Sequence, residues 1–184
     1  MGQNKEWQEK AEEFWSRVRE AVAKDTGLRA VFRRNAGELL RTADGRAVAA
    51  FYRVYGGGLV SEWNEDRCFF AVCAACLWKP EDWSQAKPLA MGARALSPDD
   101  KATFEKRLRV LLDLPWDDDG YFAMKLCRLL KYCMSKNMVV DGNALMKDLI
   151  GWDSDERFVQ KRWVRELYRE QVKDEREGVE NHVD

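Results

Sequence analysis

Apolar residues recur at helical spacing through most of this chain. Trp7, Ala11, Phe14, Trp15, Val18 and Val22 form one stripe that no Gly or Pro interrupts, which predicts a long amphipathic first helix. A break at Asp25-Thr26-Gly27 leads into a short basic helix to about Arg34, and a loop around Asp44-Gly45 follows. A third helix over 46–55 stops at Gly56-Gly57-Gly58, read as a flexible turn. The segment 64–78 is apolar on most sides through Phe69, Phe70, Val72, Ala74, Ala75 and Leu77, as expected for the centre of a first bundle. The stretch 79–98, with three prolines, lacks periodicity and marks a boundary between two halves.

The pattern restarts beyond it. Ser97 can cap a helix that has Pro98 at its first position and Phe104, Leu108, Leu111 and Leu112 on its buried face. After Leu114-Pro115, a helix over 120–136 buries Phe122, Leu126, Leu129, Leu130 and Cys133, and leaves Lys125, Arg128 and Lys131 together on the opposite side. Asp141 caps a short helix to Ile150, and Asp153-Ser154 caps the last one, over 157–173. No segment alternates convincingly as a strand, and no repeat is present. The expected fold is all-α, with about eight or nine helices in two small bundles packed together, 1–96 and 97–184.

Charge changes the picture most in that last helix. Arg157, Lys161, Arg165, Arg169 and Lys173 follow at i, i+4 steps, with Arg162 beside Lys161, while Val159, Trp163, Val164, Leu167 and Tyr168 cluster opposite. One half packs and the other faces solvent or something negative. The formal net charge of -1 conceals basic blocks: six arginines (29, 33, 34, 41, 46, 53) crowd the span 28–53, and the tail after Lys173 is acidic.

Candidate chemistry is sparse. The single histidine, His182, lies in a polar tail and gives no footing to His-based acid/base catalysis or metal binding. The five cysteines sit in apolar helical patterns and suit reduced core thiols better than disulfides, and the Cys73-Ala74-Ala75-Cys76 spacing has no second pair to complete a zinc site. Asp117-Asp118-Asp119 lacks a distant carboxylate partner, and the triple glycine lacks the following Lys-Ser/Thr of a phosphate loop. Most of the eight tryptophans are read as core, with one left for nucleic acid. No cofactor, metal or enzymatic activity is expected. With no signal segment and no run of eighteen apolar residues, a soluble, cytoplasmic protein without a membrane partner is expected.

Several strings occur in a recognisable order: Phe32-Arg33-Arg34, Ala50-Phe51-Tyr52-Arg53, Met91-Gly92-Ala93-Arg94-Ala95-Leu96, Leu126-Cys127-Arg128-Leu129-Leu130-Lys131, and Asp141-Gly142-Asn143-Ala144-Leu145 running on to Gly151-Trp152. With Arg157-Phe158-Val159-Gln160-Lys161-Arg162-Trp163-Val164-Arg165, they resemble the CasB family, the small subunit of Cascade, the type I-E CRISPR surveillance complex. The resemblance runs from about Trp15 to Tyr168. It implies a non-catalytic, all-helical subunit that works beside the crRNA-bound backbone subunits, the large subunit and a second copy of itself. Such a subunit holds crRNA, target and displaced DNA strands once the R-loop has opened. Carried over by position, Arg33, Arg34, Arg53, Arg94, Lys125, Arg128, Lys131, Lys161, Arg162, Arg165 and Arg169 are the candidate phosphate contacts; an intramolecular salt bridge or helix cap is the plain alternative for each. The cysteine and tryptophan richness, the triple glycine and the acidic tail depart from the family pattern.

Two other readings stand beside it. The segment 141–169 alone could be a helix-turn-helix reader of duplex DNA, and the whole chain could be a protein-binding scaffold with solvated cations.

Overall fold

The computed structural model describes residues 2–116 and 119–169. Among these residues nine α-helices carry the fold: α1 (Gly2–Lys24), α2 (Thr26–Arg34), α3 (Gly45–Tyr55), α4 (Glu62–Ala75), α5 (Leu89–Gly92), α6 (Pro98–Leu112), α7 (Tyr121–Ser135), α8 (Gly142–Ile150) and α9 (Phe158–Tyr168). The fold is all-α, and the only extended pairing among the described residues is an isolated bridge between Lys87 and Val140.

Local chemistry starts these helices where the sequence suggests. Asp25 accepts from the Leu28 amide at 2.9 Å, Asp44 from Ala47 at 2.9 Å, Ser97 from Asp100 at 3.3 Å, and Asp141 from Asn143 and Ala144 at 2.8 and 3.1 Å. Gly56 ends α3 in left-handed backbone, φ 71°, and the next two glycines continue at 82° and 75°, a run that only glycine adopts cheaply.

Two expectations are corrected. The proline-bearing stretch after α4 is not a bare loop: Pro80–Gln85 and Ala93–Ala95 are 3-10 turns flanking α5, and Leu89, Ala90 and Ala93 are buried there. Asp153 and Ser154 do not cap the last helix. Its N-cap is Arg157, held at φ 52° with no side-chain cap, and the Asp153 carboxylate instead accepts from the Trp116 amide at 2.9 Å and pairs with Arg67. Lys173 and the acidic tail lie outside the described residues.

The interior forms two hydrophobic clusters that share a wall. Phe14, Trp15, Phe51, Tyr55 and Phe69 anchor the first, with Phe51 stacked on Tyr55 at 5.0 Å. The second is built on a chain of rings, Phe70, Trp116, Phe122, Trp152 and Trp163, whose successive centroids lie 5.8, 5.6, 4.9 and 5.0 Å apart. The wall is α4. Its Phe70 and Ala74 belong to the second cluster, whereas Phe69, Val72 and Cys73 belong to the first, so from Cys68 to Ala75 the helix is buried all round and serves both cores.

Helix α8 runs against α4 and divides the same way, with Met146 in the first cluster and Leu145 and Leu149 in the second. All five cysteines are buried free thiols, and burial pushes Cys68, Cys76 and Cys133 up to about 12, where a thiolate is not available. Among the described residues no helix is long and apolar enough to cross a membrane.

Candidate nucleic-acid interface

Arginine has two distinct uses in this fold, and geometry separates them. The first is to close helix C-termini, where the last carbonyls lack intrahelical partners. Arg17 donates to the carbonyls of Val54 and Tyr55 at 3.3 and 3.0 Å, at the end of α3. Arg67 donates to the Ile150 carbonyl at 3.3 Å at the end of α8 and lies over the Trp116 ring. Arg157 turns back onto the Leu112 carbonyl and the Asp113 carboxylate at the end of α6. Arg94, from the turn after α5, donates through Nε to the Glu166 carbonyl in the last turn of α9.

Arg162 is likewise held inside the protein. It pairs with Asp148 of α8, a carboxylate that is only 6% exposed and also accepts from the Trp163 indole at 2.6 Å. Burial pushes Asp148 up to about 6 despite both hydrogen bonds. Of the eleven candidate contacts, Arg94 and Arg162 therefore have packing roles in this structure. Arg157, which the sequence places at the head of the basic stripe, has left it.

The second use is exposed charge. Helices α6 and α7 lie side by side, and between them runs an open groove of about 470 Å³ lined by Thr103, Lys106, Arg107, Val110, Lys125, Arg128 and Leu129. Four of its seven lining residues are cations and none is a carboxylate. On α6 the lining positions fall at i, i+3, i+4 and i+7, one face of the helix.

Two of the cations rest on rings: Arg107 over Tyr132 at 4.9 Å and Lys125 over Tyr121 at 5.0 Å. Arg128 also lines a neighbouring groove of about 820 Å³, shared by α7 and the loop after α2 and containing Lys131, Gly37, Glu38 and Tyr121. The two grooves share Arg128 in their linings, and the second adds Lys131 together with the carboxylates Glu38 and Asp119. Tyr121, 44% exposed, lines the larger groove and lies under Lys125 of the smaller one.

The remaining candidates lie elsewhere. Arg33 and Arg34 are exposed in the last turn of α2, and Arg53 is exposed on α3, where with Arg46 it lines a separate shallow groove. Lys161, Arg165 and Arg169 are exposed at α9, whose buried side, Val159, Trp163 and Leu167, packs inward. Lys106 and Arg107 are not singled out in the sequence, because the apolar face dominates the pattern of α6; their spacing with Thr103 and Val110 on one side of the helix is the signal that marks them. Among the described residues no three His, Cys, Asp or Glu side chains are placed to hold a metal ion. His182, Asp117 and Asp118 lie outside them.

Such a molecule is an all-helical, two-core scaffold that presents an open cationic groove. The profile of the CRISPR-associated protein Cse2 family matches residues 28–168, and the chain belongs to that family. Solved structures agree in fold. A chain of a CRISPR RNA-guided surveillance complex superposes with a TM-score of 0.69 at 23% identity, covering 94% of this chain and 99% of that one. A CRISPR-associated protein of the Cse2 family from Thermus thermophilus gives 0.69 at 25% identity, and a structure of CasB from the same organism gives 0.64 at 26%; each match covers 86% of this chain and 97% of the other. No curated protein sequence matches the chain. The resemblance to the CasB family read from the local strings is thus the family assignment itself.

Proposed function

We propose that this protein is the non-catalytic small subunit of a type I-E Cascade complex, which grips nucleic-acid backbone without reading sequence and stabilises the R-loop in antiviral defence. Family membership supports the subunit role, and the observation that carries the binding role is the α6–α7 groove, four cations with no carboxylate among its lining residues. Phosphate contacts position a strand but carry no sequence information. R-loop formation exchanges one duplex for a heteroduplex of similar stability, so a few such contacts on crRNA, target strand or displaced strand shift the balance. Lys125 and Arg107, resting on rings, are partly oriented before a strand arrives. The partners are the crRNA-bound backbone subunits, the large subunit and a second copy.

A helix-turn-helix reader fits less well. In that motif the two helices pack on each other, whereas α9 packs chiefly on α5, and Arg157 and Arg162 are engaged within the protein.

The test is a complex reconstituted with the variant Lys106→Gln/Arg107→Gln/Lys125→Gln/Arg128→Gln. At about 0.7 per single-strand phosphate contact, four lost contacts flatten the slope of log affinity against log salt by about 2.8. That slope corresponds to a roughly 50-fold loss of affinity between 50 and 200 mM salt, which the variant would no longer show. Unchanged affinity and slope in a normally assembled complex would remove the groove from the strand-binding surface.

A further inference from the structure

Another groove, of about 840 Å³, opens between α3, the loop after α2 and the first turns of α4, and three carboxylates outnumber two arginines, Arg41 and Arg67, in its lining. Its lining includes Tyr52, Glu62, Trp63, Glu65, Asp66 and Trp116. Trp63 is 90% exposed, although the buried tryptophans of this protein are packed into the cores. An indole held in water at the start of a helix contributes nothing to the fold, and such side chains are the commonest anchors of protein interfaces.

The charges around Trp63 do not cancel. Asp66 is paired with Arg41 at 3.3 Å, and Arg67 is paired with Asp153, which removes two cations and two anions. Glu62 and Glu65 remain, with no cation paired to either among the described residues. Glu65 accepts from the Tyr52 hydroxyl at 2.7 Å, a bond that helps to push the phenol up to about 12 and so keeps it a neutral donor. The ring and its acceptor are thereby fixed together at one edge of the groove. Arg67 already covers Trp116 at 5.6 Å, which shows locally how a guanidinium lies on an indole.

We infer that this groove is a docking site for a basic polypeptide segment of a neighbouring subunit, with lysine or arginine side chains set against Trp63, Glu62 and Glu65 along it. The inference rests on the small-subunit reading and goes beyond it by assigning a surface and a partner chemistry. The two unpaired carboxylates repel phosphate, so a strand stacking its bases on Trp63 would be held away by the same residues that attract an ammonium or guanidinium. The molecule then has two faces of opposite charge: a cationic groove for nucleic acid and an anionic aromatic groove for protein.

The experiment is assembly of the full-length chain with the other Cascade subunits and guide RNA, using the wild type, Trp63→Ala, Glu62→Gln/Glu65→Gln, and a chain carrying the photocrosslinker p-benzoylphenylalanine at position 63. Trp63→Ala is expected to weaken entry of the chain into the complex about 30-fold, as truncation of an interface anchor does, with the melting temperature of the free protein unchanged. The double Gln variant is expected to weaken it about 5-fold. The crosslink is expected on a Lys- or Arg-bearing segment of another subunit. A crosslink to nucleic acid or to a second copy of this chain overturns the inference, as does assembly of Trp63→Ala at wild-type affinity. Failure of the wild type to assemble overturns the small-subunit reading, and this inference with it; normal wild-type assembly with an indifferent Trp63→Ala sinks this inference alone.

Discussion

Gly142→Ala tests the shared wall between the two cores most directly. Gly142 opens α8 where the helix comes down on α1 and α4, and a Cβ there would stand 2.6 Å from Trp15 Cη2 and 2.9 Å from both Trp15 Cζ3 and Ala75 Cβ. Carbon atoms in van der Waals contact sit at about 3.5–4.0 Å, so relief requires about 1 Å of movement. Neither neighbour can easily supply it. Ala75 Cβ is fixed to the backbone of α4, and the Trp15 ring is wedged edge-on between Phe14 and Trp83 with centroids 5.7 and 6.3 Å away.

Overpacking of this kind costs about 1–3 kcal/mol, offset in part by the lower backbone entropy of alanine, up to about 1 kcal/mol and less at a first helical position. The expected net loss is about 1–2 kcal/mol, a fall in melting temperature of roughly 2–8 °C for a chain of this length. Urea titration of wild type, Gly142→Ala, Trp15→Phe and the double variant provides the check. Trp15→Phe removes the clashing ring atoms, so the double variant should lose less than the sum of the singles by at least about 0.5 kcal/mol, beyond the usual additivity error. A Gly142→Ala protein as stable as wild type, or strict additivity with Trp15→Phe, would refute the close approach.

Other outcomes follow from the same contacts. Asp148 has its carboxyl raised to about 6 by burial, above its ordinary value near 3.9, so the stability it contributes is fully present below about pH 4 and is lost as pH rises through 6. The stability difference between wild type and Asp148→Asn should therefore shrink by on the order of 2–3 kcal/mol from pH 4 to 7, and a constant difference in denaturant titrations would count against it. Lys161→Glu/Arg165→Glu should leave the melting temperature almost unchanged, whereas Arg162→Glu sets a second anion against Asp148 and should cost about 1–3 kcal/mol, discounted for the water that reaches the partly exposed arginine; equal effects in calorimetry would overturn the distinction. The five buried thiols should react with an aromatic disulfide reagent at pH 8 only as the protein unfolds, in step with the circular dichroism transition, and rapid labelling of the native protein would contradict their burial.

The sequence by itself determined the helices, because helix formation reads signals a few residues apart: the stripe from Trp7 to Val22, the caps at Ser97 and Asp141, and the stop at Gly56 stand as their spacing dictates. It also carried the family, through short strings whose order survives without any knowledge of the fold. It could not assign the individual cations. Arg94, Arg157 and Arg162 look in sequence like Arg128 and Lys161, and nothing local distinguishes a guanidinium that will meet an orphaned carbonyl or a buried carboxylate from one left in water.

Those partners, Glu166, Leu112 and Asp148, come from other elements, the first two 72 and 45 residues away, and only packing brings them within reach. The same holds for the groove: Lys106 and Arg107 meet Lys125 and Arg128 in one cationic groove because α7 lies alongside α6, a relation set by how Phe104, Leu108, Leu126 and Leu129 fill the second core. Helices are decided by neighbours in the chain, and surfaces by neighbours in space.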